Sequence, residues 1–397
     1  MITPYIDEQH CCGCGACANA CSKNAISMCT NEQGFIYPVI DQGACVDCGL
    51  CHKVCAFNDE RWIHAEAQRC YGGIDCSLDK SQSSSGGISN ALSKIIVEAD
   101  GVVYGCALEN VNDEITPHHI RVDNVENLKK LQGSKYVQSD IDDTYRQVKC
   151  DLKNGKQVLF TGTPCQVAGL RSFLRKPYDN LFCIDIICHG IPSKQMFQDS
   201  IRSYEEANNG EVVDIFFRDK SKFPALNQKI IYNQKINIRY YTDSLYYTCF
   251  LRGDIYRESC YNCPYAQTGR VSDITLGDFW GLEFTNPEQL KDNGGPIDLQ
   301  QGVSCIIVNS KQGEKLLSSA KGNLYLFDSS IDDIAKSNHQ LRHPSPMPSC
   351  RSKIFKDYEE NGYDGFCKAV VDNYKWSNRK ANLKHFIKKI LCLKSFK

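Results

Sequence analysis

The sequence predicts a mixed α/β protein, in which a small cysteine-rich unit precedes a larger α/β body that also carries antiparallel strands. Three observations predict it. Residues 1–60 hold two copies of one cysteine spacing. From Tyr71 to Ile187, short apolar runs alternate with stretches of helical period, as in a sheet wrapped by helices. Residues 212–217 and 229–241 alternate instead with period two, as half-buried antiparallel strands do.

Composition narrows the function classes. A chain of 397 residues is long enough for two or three domains with a substantial core. Its 42% hydrophobic and 23% charged content fits a soluble globular protein. A net charge of −1 gives no electrostatic reason to expect nucleic acid as a partner. The segment Met1–Asp7 has neither the basic nor the apolar region of a secretory signal, and no apolar run approaches the ~18 residues that span a bilayer. Twenty-four cysteines without such a signal point to a reducing cytoplasm, where they act as ligands and free thiols.

The N-terminal runs are Cys11-x2-Cys14-x2-Cys17-x3-Cys21 and Cys45-x2-Cys48-x2-Cys51-x3-Cys55. Two such runs wrap two 4Fe-4S clusters, because three cysteines on one tight loop hold three irons and the fourth reaches to the other cluster. One cluster then takes Cys11, Cys14, Cys17 and Cys55; the other takes Cys45, Cys48, Cys51 and Cys21. Gly13, Gly15 and Gly49 let the backbone turn close to sulfide. The proline usual after each fourth cysteine is replaced by Ser22 and Ala56. Gly34–Ile40 reads as a strand, two βαβ-like halves with short helices fit the unit, and the clusters stand in for a core, so folding is coupled to metal.

Beyond a polar linker (Asn58 to Arg69), Tyr71–Ile74 opens a strand. The loop Ser81–Gly87 then feeds a helix whose apolar face is Ile88, Ala91, Leu92, Ile95 and Ile96. Ser84, Ser85, Gly86 and Gly87 at that helix start could cradle a phosphate, and an ordinary N-cap with a flexible turn explains them as well. Val102–Leu108 is a buried strand. In Gly133-Ser134-Lys135-Tyr136 the lysine could neutralise a phosphate and the tyrosine stack on a ring; an exposed turn is the plainer reading. Strand Val158–Phe160 runs through Thr161, Gly162, Thr163, Pro164 and Cys165 into a helix with Val167, Leu170, Phe173 and Leu174 on one face. Strand Leu181–Ile187 leads to Cys188-His189-Gly190. Cys260-x2-Cys263-Pro264 follows, then Gly277-Asp278, and Gly302–Val308 is the last good strand before the tail. Cys165, Cys188, Cys260 and Cys263 each sit at a turn or strand end. Spacing alone leaves a third cluster, a structural zinc site and scattered thiols equally open.

These motifs in this order resemble the coenzyme F420 hydrogenase/dehydrogenase beta-subunit family, over residues from about 65 to 330, with an N-terminal two-cluster ferredoxin domain such as some members carry. The resemblance implies FAD contacts at Ser84–Gly87, Gly133–Tyr136 and Thr161–Thr163. It also makes a third 4Fe-4S cluster the leading reading for Cys165, Cys188, Cys260 and Cys263. The other twelve cysteines default to small buried hydrophobes. The expected organisation is a ferredoxin-like domain at 1–60, an FAD-binding part at 61–150, a part with the intrinsic cluster at 151–345, and a basic tail at 346–397.

The expected function is an iron–sulfur flavoprotein oxidoreductase, since a flavin converts one-electron to two-electron chemistry. Electrons would pass between an external one-electron partner, the clusters, FAD, and coenzyme F420 or another organic substrate, in either direction. An electron-transfer subunit feeding a partner enzyme is the alternative. His189, Lys135 and Asp278 are candidate proton donors, with structural roles favoured for His189 and Asp278. The lysine-rich tail has Leu383, Phe386, Ile387, Ile390 and Leu391 at helical spacing. It could lie on an anionic membrane or a partner, or pack one apolar side on the body.

Overall fold

The computed structural model describes residues 4–58, 62–63, 67–77, 83–221 and 225–394, with side chains described as far as Asn373. Parts of the polar linker, Ser81–Gln82 of the loop, and residues 395–397 of the tail lie outside the described residues.

In the N-terminal unit, β1 (Ile26–Thr30) and β2 (Ile36–Ile40) pair antiparallel, flanked by the short helices α1 (Ala16–Ala20) and α2 (Leu50–Lys53). This is one hairpin and not two βαβ-like halves. The Asn31 side chain decides it by accepting from the N–H groups of Gln33 and Phe35, which closes a turn too tight for a crossover helix.

The body centres on an eight-stranded sheet. Its strands are β3 (Arg69–Asp75), β4 (Val102–Val111), β5 (Glu114–Val122), β6 (Val158–Gly162), β7 (Leu181–Ile186), β11 (Ile274–Asp278), β12 (Ser304–Val308) and β13 (Leu324–Ser329). A second, three-stranded antiparallel sheet holds β8 (Val212–Asp219), β9 (Asn227–Tyr232) and β10 (Lys235–Tyr240). The large sheet runs in the order β13-β3-β12-β11-β7-β6-β4-β5. Its centre, β11-β7-β6-β4, is parallel, and antiparallel strands close both sides. The sheet draws strands from both sides of residue 150. Two of them, β5 and β13, were not expected. β5 alternates weakly because Pro117, His118 and His119 interrupt it, and β13 follows the strand expected to be last.

Both faces of the central strands are covered. Val102, Tyr104, Val158 and Phe160 pack beneath α4 (Thr144–Lys153) and α5 (Pro164–Leu174). Val103, Leu159, Phe182 and Ile184 face α3 (Ile88–Glu98) and the later helix α9 (Lys311–Ala320). This is the near-continuous apolar pattern of a parallel sheet buried on both sides. Helices α6 (Lys194–Asn208), α7 (Leu245–Arg252) and the start of the long C-terminal helix α11 (Arg351–Lys394) build a third packing region around β8–β10. The short α8 (Leu282–Thr285) and α10 (Ile331–Ser337) lie between β11 and the C-terminal helix in sequence. Helix α11 is kinked at Asn361–Gly362. The tail is helical through Lys394, with its expected apolar face outside the described side chains. No helix among the described residues is long and apolar enough to cross a membrane.

The N-terminal unit docks on the body through polar contacts, of which the Tyr265 bond is buried. Arg146 of α4 donates to the carbonyls of Asn19 (2.8 Å), Ala18 and Cys21, and Asn19 Nδ2 donates to Asp142 O. The Tyr265 hydroxyl donates to Ala56 O at 2.6 Å. Within the body, Asp273 fastens three elements. Its carboxylate accepts from Cys183 N (2.8 Å) on β7, Arg171 Nη2 (3.0 Å) on α5 and Ser310 Oγ (2.6 Å) at the start of α9. Asp273→Ala leaves Arg171 nearly buried without its anion, so the urea midpoint should fall by an amount equivalent to about 3–5 kcal/mol; an unchanged midpoint would contradict this role.

Candidate functional site

The two N-terminal runs adopt the same local geometry. Gly15 and Gly49 precede α1 and α2 with φ of 71° and 67°. One turn earlier Gly13 has φ of 64° and Asp47, its counterpart in the second run, 56°. Aspartate tolerates this left-handed region better than most residues, which is why the second run manages with one glycine fewer.

The thiols gather into sets. Around Cys17 lie Cys14, Cys11 and Cys55, the four expected of one cluster; burial and these neighbours push the Cys17 thiol well above its ordinary value. They border a cavity of about 330 Å³, solvent-facing space included, walled also by Gly13, Gly15 and Pro38. Cys51 has Cys48 and Cys45 as neighbours. The fourth expected member, Cys21, accepts from Ala25 N at 3.3 Å. Cys48 is exposed whereas Cys11 and Cys14 are buried, so the Cys45/48/51 set is the outer one and the Cys11/14/17/55 set the inner one.

A third set forms in the body. Cys165 follows the end of β6 and Cys188 the end of β7, adjacent parallel strands in which Gly162 pairs with Asp185. The carboxyl edge of such strands is where α/β sheets carry their sites. Cys260 and Cys263 come from the 3-10 turn Glu258–Asn262 and its end. Cys260 is neighboured by Cys188, Cys263 and Cys165, and Cys188 by Cys165 and Cys263; burial raises Cys188 and Cys263 each to about 12.

The donor chemistry of these sets fits clusters. Buried thiols that raise one another's pKa persist as thiolates only with cations among them.

Residues outside the expected ligands connect the sets. The Cys12 thiol is hydrogen-bonded to both Cys14 and Cys165, linking the inner set to the body set. Gly169 on α5 permits the approach, since a Cβ there would lie 2.8 Å from Cys14 Sγ and 3.1 Å from Cys14 Cβ. Thr163 Oγ1 is 3.2 Å from Cys165 Sγ, and its N–H donates to Gln166 Oε1. Buried Arg257 donates to Cys11 O (2.6 Å) and Ile36 O (2.8 Å) and lies over the Tyr37 ring at 3.9 Å. A glycine inside an apolar helical stretch was a legible signal for Gly169. Arg257 gave none, because Arg-Glu in a turn reads as exposed charge. No disulfide joins the described cysteines, and Cys29, Cys76 and Cys150 are exposed, contrary to the default of burial.

A cleft opens on the body between Ser84, Gly133–Lys135 and β8, enclosing about 1020 Å³ up to its open side. Lys129, Lys130, Lys135, Arg218 and Lys229 border it against Asp214 and Asp219, with Phe216 and Phe217 in its wall. Ser84 Oγ accepts from Ser134 N (2.7 Å) and Ser134 Oγ (2.8 Å), so the two expected loops are brought together. Ser85 Oγ donates to Val303 O, and Gly87 takes a φ of 87° at the start of α3. Lys135 Nζ donates to Gln132 O; burial lowers this lysine to about 8, partly offset by Cys106 and Asp214. Tyr136 does not face the cleft but stacks on Phe250 (4.2 Å between ring centres). Thr161–Thr163 form the β6–α5 turn beside Cys165 and are not in the cleft wall. His119, neutral because burial lowers it to about 4, bonds Thr161 O and Ser139 Oγ and fixes that turn.

Between body set and cleft runs a row of rings. Tyr256, beside Cys188 and Cys260, is 5.7 Å from Phe250; Phe250 stacks on Tyr136; and Tyr136 lies 5.2 Å from Phe217 in the cleft wall. Asp278 is held by Arg218 at 2.7 Å, and exposed His189 lies within electrostatic reach of both. Of the three candidate proton donors, only Lys135 is in the cleft wall.

Gly169→Val should force Cys14 and α5 apart. Overpacking of this kind costs about 1–3 kcal/mol, and anaerobically prepared protein should lose inner-set iron while the outer-set signal remains in its electron paramagnetic resonance (EPR) spectrum. Full iron content in this variant would contradict the close approach.

Comparison with known proteins bears on these features. Residues 155–333 match the family model for the C terminus of the coenzyme F420 hydrogenase/dehydrogenase beta subunit. Residues 10–58 match the 4Fe-4S dicluster domain. The four body cysteines and Thr161–Thr163 fall inside the first match, whereas Ser84–Gly87 and Gly133–Tyr136 fall outside it. No curated protein matches the chain. Among solved structures, a chain of the xenon-derivatized F420-reducing NiFe hydrogenase complex from Methanosarcina barkeri is similar over 80% of this chain and 96% of that one, at 15% identity and a TM-score of 0.46. Residues 155–333 thus correspond to the C-terminal part of a coenzyme F420 hydrogenase/dehydrogenase beta subunit, and residues 10–58 to a 4Fe-4S dicluster domain.

Proposed function

We propose that this chain is an iron–sulfur flavoprotein oxidoreductase. It passes electrons between three 4Fe-4S clusters and FAD, and between FAD and coenzyme F420 or another organic substrate. The ligands are Cys11, Cys14, Cys17 and Cys55 for the inner cluster; Cys45, Cys48, Cys51 and Cys21 for the outer; and Cys165, Cys188, Cys260 and Cys263 for the third. Residues 1–60 act as the ferredoxin-like domain, 61–150 supply most flavin contacts, 151–345 hold the third cluster, and 346–397 form the tail.

The observation that carries this reading is continuity. The inner set, Cys12, the body set and the Tyr256–Phe250–Tyr136–Phe217 row follow one another to a basic cleft, and exposed Cys48 opens the outer set to solvent. A flavin held in that cleft would supply the exchange between single electrons and a hydride pair. The chain's own residues do the rest. Lys135 places an ammonium where a phosphate or a developing anion is met, Ser84 and Ser134 fix the loops around it, and Phe216 and Phe217 keep water from one wall. His189 and Asp278 serve structure rather than proton transfer, since Arg218 already claims the Asp278 carboxylate. A subunit that only feeds a partner enzyme would have no use for the cleft.

Anaerobic reduction of F420 by the purified chain with a one-electron donor, compared with a pull-down for a tight partner, separates the two readings. Turnover by the isolated chain supports the first; a stable partner and no turnover would support the second. The cleft also predicts a pH dependence. The Lys135 ammonium prevails below about 8 and is lost above it, so FAD affinity should fall as pH rises through that value. Lys135→Met should weaken FAD binding roughly tenfold to a hundredfold at neutral pH, the ~1.5–3 kcal/mol of a charge-assisted hydrogen bond, and flatten the profile. An unchanged profile in this variant would remove Lys135 from the flavin site.

A further inference from the structure

Arg257 is fully buried and forms no ion pair with a carboxylate among the described residues. Its guanidinium is met by two carbonyls, Gln138 Oε1 at 3.2 Å and Cys11 Sγ at 3.7 Å. A buried cation needs an anionic partner. The groups around it that can carry negative charge are Cys11 of the inner set, the Tyr37 phenol, Cys12 and Cys260 of the body set, so two ligand thiols from different sets face the same cation. The backbone fixes the placement, because Arg257 N donates to Ile191 O and Cys260 N to Arg257 O, so the arginine and its cysteine turn as one piece. Gln138, which accepts from the guanidinium, also donates weakly to the carbonyls of Cys12 and Gly13. The two sets thus share one positive charge, shielded from solvent.

We propose that Arg257 is the common counter-ion of the inner cluster and the body cluster, setting both reduction potentials and keeping them close. The inference rests on the three-cluster reading above. Reducing either cluster adds one electron, and therefore one negative charge, beside the same guanidinium. The buried cation stabilises that charge at both centres and has no such hold on the outer cluster, whose Cys48 faces solvent. Arg257 is a positioning residue: it is not a ligand, and it also carries the contact that seats β2 on the body through Ile36 O.

The test is a redox titration of the anaerobically prepared full chain followed by EPR, with iron and sulfide counted in each sample. Arg257→Gln removes the charge, Arg257→Lys keeps it, and Gln138→Glu leaves the arginine but gives it a carboxylate of its own. The expected result is that Arg257→Gln and Gln138→Glu move the inner and body potentials negative together, leave the outer potential in place, and retain about twelve irons, four per cluster. Arg257→Lys should stay near the wild type. If Arg257→Gln loses iron through misfolding, Gln138→Glu carries the comparison. The proposal is overturned if full iron content is kept while neither potential moves, if only one moves, or if all three shift alike. A wild-type chain with about eight irons would overturn it through the reading beneath it, by iron count rather than by potential.

Discussion

A guanidinium sealed from water without a carboxylate beside it makes sense only if the folded protein supplies negative charge from another source. Arg257 is in that position, and much of the molecule is arranged around it. Its hydrogen bonds to Cys11 O and Ile36 O hold the first cysteine loop and β2 against the body. Its own turn presents Cys260 and, three residues on, Cys263. Removing the charge would leave carbonyls and sulfur without a donor in a buried site; removing the anions would leave the charge uncompensated. Arg257 thus ties the docking of the dicluster domain to the turn that carries Cys260, alongside the Arg146 and Tyr265 contacts.

The sheet explains where the rest of the chemistry sits. The parallel strands β6 and β7 end side by side, so Cys165 and Cys188 arrive at neighbouring positions without a special loop. Helix α5 starts at that edge, and Gly169, further along it, gives Cys14 room to lie against its surface. The three-stranded sheet β8–β10 then covers the flank, with Phe217 turned to the cleft and to Tyr136. The same aromatic packing that buries this region also joins Tyr256, beside Cys188 and Cys260, to Phe217 in the cleft wall.

Much of this was legible in the sequence because spacing and period are local. The cysteine runs, the amphipathic face of α3, the Gly-Thr-Pro-Cys turn into α5 and the antiparallel nature of β8–β10 follow from residues near one another in the chain. What was not legible depends on meetings across long separations. Tyr136 has the look of a ring meant for a ligand, yet its partner is Phe250, more than a hundred residues away. The resemblance implies a flavin contact for Thr163, and nothing in its local sequence shows that its hydroxyl lies against Cys165. Cys12, next to a ligand, carries no pattern that distinguishes a bridging thiol from a buried one. β5 escaped notice because its proline and histidines break the alternation, and the hairpin β1–β2 because a five-residue strand such as Ile26–Thr30 carries too few apolar positions.

The central claim is that a single chain carries electrons from an exposed cluster through two buried ones to a flavin. Its most direct test is the content of iron, acid-labile sulfide, zinc and flavin per chain in protein made and purified without oxygen. The account predicts about twelve irons, as many sulfides and one FAD, with no zinc. About eight irons with one zinc, or full iron without flavin, would contradict it.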